Sequence, residues 1–318
     1  MTAAGMSAAL EMRNLRVTLG TVQLVRGVDL DLAPGETLGV IGESGSGKTL
    51  TCLSLLRLLP RGMAAQADVL RLKGTDLGGL DEAAFRKLRG RGIAMIFQDP
   101  VGAFNPAKRI GWHMRAVLAR AASDGAWQRR AAAALSDVGI AEPERVLRRY
   151  PHQLSGGMLQ RALIAMVATL APDVIIADEP TTNLDNIIEQ QILALFRSLQ
   201  QRLSSALVFI THDMRVAALV SDRLAVMYAG QIVETGPAEA VLHRPLHPYT
   251  QGLIATADAL ASGAAQLAEI PGQPPSVLDP PAGCAFRPRC ASARAGCEAP
   301  QALRSPGEAR QVRCLLYD

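Results

Sequence analysis

The stretch "GESGSGKT", residues 42–49, has the spacing G-x-x-x-x-G-K-[ST] and sits between two apolar runs, "TLGVI" and "LTCLSLLRLL". A turn of this composition between a strand and a helix is suited to phosphate. Gly42, Ser44, Gly45, Ser46 and Gly47 form a cradle whose backbone N–H groups can curl around anionic oxygens. The following helix aims its unpaired N–H groups and its dipole at the same charge. Lys48 would reach the outer phosphates of a nucleotide, and Thr49 would offer a hydroxyl to Mg2+. A second stretch, "VIIADEP" at 174–180, is an apolar run ending in adjacent carboxylates. Two buried acids are costly unless a cation or a transferable proton is close. Asp178 is placed to hold Mg2+ through water, and Glu179 to polarise an attacking water as base.

These residues need a scaffold, and the hydrophobic pattern supplies one. Residues 11–41 alternate apolar and polar around a turn at Pro34-Gly35, which reads as strands with the last one buried. A helix follows the glycine turn to near Pro60. Two short strands flank the helix "EAAFRKLRG" between 68 and 97, and a helical insertion covers roughly 98–150. A strand–helix rhythm then returns: the helix "MLQRALIAMVATL", the strand "DVIIAD", the helix "NIIEQQILALFRSLQQRL", the strand "ALVFITHD", another helix, and the strands "RLAVMYAG" and "QIVETG". Alternation of this kind predicts an α/β fold with a mostly parallel sheet. Past Pro245 the proline-rich connector "IPGQPPSVLDPPAG" marks a change of texture, with a domain boundary near 245–270.

The bulk properties exclude several classes. With 318 residues, 49% of them hydrophobic, the chain can bury an ordinary core. A formal charge of +4 lacks the concentrated basic face of a dedicated nucleic-acid binder. No window supplies the roughly 20 uninterrupted apolar residues of a membrane span, and the N-terminal segment does not read as a signal peptide. A cytosolic chain is expected. Four of the five cysteines, Cys284, Cys290, Cys297 and Cys314, cluster near the C-terminus with five, six and sixteen residues between them. In a reducing compartment that clustering points to metal rather than to disulfides. Zinc favours tighter pairs, and spread thiolates can equally wrap an iron–sulfur cluster or simply pack. Arg287, Arg289 and Arg294 lie among them and would offset their negative charge. Cys52 reads as a small core residue.

Between the two carboxylate and phosphate motifs lies "LSGGMLQ", residues 154–160. With it, the chain resembles the ATPase subunit of an ATP-binding cassette (ABC) transporter. The resemblance implies a P-loop cassette over residues 8–245. It would carry an N-terminal antiparallel β subdomain, helices on both faces of the main sheet and a helical subdomain at about 98–165. It also implies that Ser155, Gly156 and Gly157 face the γ-phosphate bound by a second ATPase subunit. Gln98 in "FQDP" matches the loop that senses Mg2+ and the γ-phosphate. Asp185 in "TTNLD" matches the dimer-contact loop, and His212 in "ITHD" the switch histidine. Mg2+ would then be held through Thr49, Gln98 and Asp178, with Glu179, His212 and Gln98 as the catalytic set.

The segments "FQDPVGAFNP", "HPYTQGLI", "IPGQPP" and "GCAFRPRC" resemble the oligopeptide, dipeptide and nickel importers, with residues 246–318 as their C-terminal extension. That implies ATP-driven import of short peptides, or of nickel chelates or opine-type metallophores, and "SGGMLQR" is closer to the nickel branch. A cytosolic ABC ATPase working on nucleic acid is the alternative of another class. The importer reading implies two permease subunits, a second ATPase, indirect service to an extracytoplasmic binding protein, and no nucleic acid. The chain would sit peripherally on the cytoplasmic face of the bacterial membrane. Some relatives with this tail are described as carrying a [4Fe–4S] cluster, which the resemblance places on the four clustered cysteines, with Zn2+ as the alternative.

One position departs from the family. Where an aromatic ring usually stacks on adenine, "RVTLGTVQLV" offers Leu19 and aliphatic neighbours. An aliphatic contact excludes water but forgoes roughly 1 kcal/mol of stacking. Competition binding should therefore find GTP within about tenfold of ATP, since about 1.4 kcal/mol corresponds to each factor of ten. A larger preference for ATP would contradict this.

Overall fold

The structure is a computed structural model that describes residues 8–121, 126–182, 184–262, 269–276, 278, 280–307 and 309–317. Asn183 of the "TTNLD" loop and Val277 and Asp279 of the connector lie outside the described residues. The chain divides into two compact units, Met1–Gly79 with Val208–Asp318, and Leu80–Leu207.

In chain order the first unit opens with β1 (Leu10–Leu19), β2 (Val22–Leu32) and β3 (Thr37–Ile41), then α1 (Lys48–Leu55), β4 (Met63–Gln66), β5 (Val69–Leu72) and β6 (Thr75–Asp76). The second unit holds α2 (Glu82–Leu88), β7 (Ile93–Ile96), α3 (Ile110–Ala121), α4 (Trp127–Asp137), α5 (Pro143–Leu147), α6 (Gly156–Ala168), β8 (Val174–Asp178) and α7 (Asn186–Leu203). The chain continues through β9 (Ala206–Thr211), α8 (Met214–Val220), β10 (Arg223–Tyr228), β11 (Gln231–Pro237), α9 (Ala238–His243) and α10 (Pro248–Ser262). It ends with β12 (Arg304–Gly307) and β13 (Arg310–Val312).

Within the first unit, β2-β1-β5-β6 form an antiparallel sheet with β4 added on β1. A second sheet runs β12-β13-β11-β10-β3-β9. In it β10 and β3 are parallel, whereas β10–β11, β11–β13 and β12–β13 are antiparallel. The sheet is therefore mixed, and its parallel character ends at β10. All five residues of β3 are buried, as a continuous apolar run in a covered parallel strand should be.

In the second unit, β7 and β8 pair in parallel from Ile93 opposite Val174 to Ile96 opposite Ala177. The helical insertion is present as α3, α4 and α5, with Ile110, Met114, Leu118, Ala131, Leu135 and Val146 buried. Helix α7 starts at Asp185, whose carboxylate accepts the N–H groups of Ile187 and Ile188. Its buried residues Ile192, Leu193, Phe196 and Leu199 fall on one helical stripe.

The C-terminal extension is part of the first unit. Strand β13 pairs with β11, and the guanidinium of Arg310 donates to the Glu234 carboxylate at 2.8 Å with both side chains buried. The same carboxylate accepts the backbone N–H groups of Leu246 and His247 at 2.9 and 2.8 Å. Three donors make this buried acid tolerable, and removing Arg310 would cost about 3–5 kcal/mol. Tyr228 of β10, Tyr249 of α10 and Phe286 of the cysteine loop pack together with ring centroids 4.5–5.4 Å apart, Tyr228 and Phe286 edge to face and the other two pairs tilted. Each such contact contributes about 0.5–1.5 kcal/mol beyond area burial. The segments before and after the connector both belong to the unit, because Tyr249 and Phe286 pack on Tyr228 of β10 and β13 pairs with β11.

His247 is almost fully buried, and its Nδ1 accepts the Tyr249 N–H at 3.1 Å, so the ring is held neutral with its proton on Nε2. Burial lowers its pKa to about 4, against about 6.5 in the unfolded chain. Between those values the unfolded state binds the proton and the folded state does not. The stabilisation is complete above about pH 6.5 and is lost as pH falls toward 4. It amounts to roughly 3 kcal/mol. Thermal melting followed from pH 7 to pH 4.5 should show a falling midpoint, and His247→Asn should flatten that dependence. An equal pH slope in the variant would contradict the assignment.

Candidate functional site

In the first unit the phosphate-type loop joins β3 to α1. Its shape is enforced by close packing against β10. A Cβ on Gly42 would lie 2.1 Å from the carbonyl oxygen of Met227, so no side chain fits. Gly47, the N-cap of α1, has φ of 102° and supplies no capping side chain, leaving the first N–H groups of α1 without a cap from that position. Ser46 Oγ is buried with no partner among the described residues. A buried, unpartnered hydroxyl at the helix start fits a loop made for an anion. Lys48 is 5% exposed, and its Nζ donates to the carbonyls of Gly42 and Glu43 at 2.8 and 3.0 Å. Ser44, Gly45 and Thr49 are exposed on the loop surface.

His212 follows β9, the neighbour of β3 in the sheet, and is exposed. The next residue, Asp213, caps α8 by accepting the N–H of Arg215 at 2.7 Å. Leu19, at the end of β1, is 41% exposed, an apolar surface position of the kind the sequence assigned to adenine contact.

In the second unit the parallel pairing of β7 and β8 brings Gln98 and the two acids together. Asp178 is buried at the end of β8. Glu179 follows with φ of 44°, a left-handed backbone that costs about 1–3 kcal/mol in a residue with a side chain and gathers at functional sites. Its Oε2 accepts from Gln98 Nε2 at 3.2 Å and from Thr182 Oγ1 at 2.9 Å. The sequence reading missed Thr182. Its signal was available, since a hydroxyl three residues past the carboxylate falls in the same turn. Ser155 caps α6 by accepting the Met158 N–H at 3.3 Å. A Cβ on Gly157 would lie 3.1 Å from Ile188, so that glycine lets α6 approach α7.

The cysteine region departs from expectation. Cys284, Cys290, Cys297 and Cys314 are free, half-buried thiols lining one cavity of about 20 Å3, about the room one water requires. Among the described residues no group of three or more His, Cys, Asp or Glu is placed to hold a metal ion. Burial pushes the thiols of Cys284, Cys290 and Cys314 above their ordinary pKa; backbone N–H groups oppose this and neighbouring cysteines add to it. Neither the iron–sulfur cluster nor the zinc ion finds support in this geometry. Arg287 and Arg294 line the same cavity as the cysteines, whereas Arg289 does not. Arg287 faces Glu298 at 3.9 Å, Arg294 donates to the Leu315 carbonyl, and Arg289 pairs with Glu43. Cys52 is buried on α1, as a core residue should be.

Two family matches cover most of the cassette and the tail: ABC transporter over residues 25–182, and oligopeptide/dipeptide transporter, C-terminal region, over 233–297. The chain is 42% identical to the dipeptide transport ATP-binding protein DppD of Bacillus subtilis, over 98% of this chain and 96% of that one. It is 44% identical to the oligopeptide transport ATP-binding protein OppD of the same organism, over 87% and 80%. It is 42% identical to DppD of Escherichia coli, over 90% and 89%. A dimeric ATP-binding cassette solved in a post-hydrolysis state with ADP and Pi shares the fold at a TM-score of 0.63 and 24% identity, covering 72% of this chain and 98% of that one. The glycine loop, the Gln98–Glu179 contact and the interlocked tail thus occur in a chain that belongs to the ABC transporter ATP-binding proteins with an oligopeptide/dipeptide-type C-terminal region.

Proposed function

We propose that this chain hydrolyses ATP to power an importer of short peptides, with Glu179 as the base that polarises the attacking water. The observation that carries the catalytic reading is the hold on Glu179: Gln98 and Thr182 both donate to one carboxylate oxygen, on a backbone turned left-handed. A carboxylate fixed in this way is oriented before substrate arrives, which is what positioned acid–base catalysis requires. Lys48 and the N-terminus of α1 would take the phosphates. Thr49, Asp178 and Gln98 would hold Mg2+, which neutralises developing phosphate charge. Ser155, Gly156, Gly157 and Asp185 would serve a second ATPase subunit, and His212 would act as the switch.

The oligopeptide/dipeptide-type tail and the named relatives support peptides as cargo over nickel chelates or opines. They also support two permease subunits and a binding protein as partners, with the chain at the cytoplasmic face of the membrane. No helix among the described residues is long and apolar enough to cross a membrane. No step runs through a metal at the four cysteines.

Glu179→Gln should slow ATP turnover by about 100-fold or more, the contribution of a positioned base, and should accumulate ATP-bound dimers on size exclusion. Turnover within a few-fold of wild type would show the base to be elsewhere. With the permease and binding protein assembled, dipeptides and oligopeptides should stimulate the ATPase. Stimulation by nickel chelates alone would reassign the cargo.

A further inference from the structure

We infer that Arg289 and Tyr249, both in the C-terminal extension, are positioning residues of the phosphate loop, fixing Glu43 and thereby setting the affinity for Mg·ATP. The inference rests on reading residues 42–49 as the nucleotide loop. Glu43, the second residue of that loop, is engaged at all three of its polar groups. Its carboxylate takes a two-pronged contact from Arg289, at 2.8 Å to Oε2 and 3.1 Å to Oε1. Its backbone N–H donates to the Tyr249 hydroxyl at 2.8 Å. Its carbonyl accepts from Lys48 Nζ at 3.0 Å.

The tail side of this contact is rigid. Arg289 keeps only 5% of its side chain exposed. Its Nε donates to the Pro271 carbonyl at 2.9 Å, one terminal nitrogen to the Ile270 carbonyl at 3.2 Å, and the other to the Tyr228 hydroxyl at 3.3 Å. Tyr228 and Phe286 each place a ring 5.9 Å from the guanidinium carbon. Tyr249 is fully buried. A planar guanidinium with every prong engaged has one orientation, which a lysine cannot reproduce.

The consequence follows from how such loops bind. Affinity comes from backbone N–H groups, and their directions are set by φ and ψ of each loop residue. Gly42 and Gly45 flank Glu43 closely and have wide conformational freedom. Glu43 carries the side chain that can anchor this part of the loop, and the anchor lies 246 residues away in sequence. Releasing it lets the empty loop sample shapes that do not match phosphate, and ATP must then select the competent one.

The test uses the intact chain and measures Kd for Mg·ATP with a fluorescent ATP analogue, together with KM, kcat and the nucleotide-free melting temperature. Arg289→Lys and Glu43→Gln should each raise Kd by about tenfold, the scale of one lost charge-assisted contact. The double variant should be no weaker than the worse single one, because both remove the same link. Tyr249→Phe, which removes a single oxygen from a filled site, should raise KM more than it lowers kcat, and it carries the test if Arg289→Lys fails to fold. A falling melting temperature with Kd unchanged would make the contact purely structural and overturn the proposal, as would additive effects in the double variant. Lys48→Ala, run alongside, should abolish Mg·ATP binding. Normal binding there would refute the loop reading itself, a result distinct from an unchanged Kd in Tyr249→Phe beside an inactive Lys48→Ala.

Discussion

A loop that grips phosphate with backbone N–H groups must keep its shape before the phosphate arrives, and the first unit is arranged around that requirement. Strand β10 is the reference surface. Its Met227 carbonyl sits where only a glycine at 42 can pass, and its Tyr228 packs against Tyr249 and Phe286. The same strand pairs with β3, from which the loop departs, and with β11, to which the tail is fastened. Burial of β3 and β10 thus fixes where the loop begins and where its tail support stands. An error of one residue in the β10–β3 register would turn each side chain to the other face.

The second unit solves a different problem with similar economy. Several of its candidate site residues are also structural caps and turns. Ser155 caps α6, Asp185 caps α7, and Glu179 ends β8 in a strained turn closed by Thr182. Substituting any of them changes both local structure and chemistry, so stability and turnover have to be read together in such variants. Gln98 is different, since it lies beyond β7 and reaches Glu179 through its side chain.

Much of this was legible in the sequence because the relevant signals are local. "GESGSGKT", "VIIADEP" and the long amphipathic run of α7 state their structure within a few turns of chain, through glycine spacing, continuous burial or helical period. The tail was legible only as a family likeness. Strands β12 and β13 are short and carry few apolar residues, so they show no period-2 pattern, and the place of β13 on β11 depends on a partner 76 residues away. Arg289 illustrates the limit. By composition it belonged with the cysteines as a counter-charge, yet it reaches Glu43, and no periodicity links residues so far apart. The thiols differ again: their spacing permitted a metal, and the fold gathers all four around one small cavity without arranging three or more of them as a metal-holding group among the described residues.

The central claim is that ATP turnover in this chain drives peptide uptake. The most direct measurement is accumulation of a radiolabelled dipeptide by proteoliposomes holding the assembled transporter, with ATP on the side of this subunit. The comparison is the same assembly carrying Lys48→Ala. The account predicts uptake by the wild type and none by the variant at equal assembly. Uptake that persists with Lys48→Ala, or wild-type ATP turnover with no dipeptide accumulated, would contradict it.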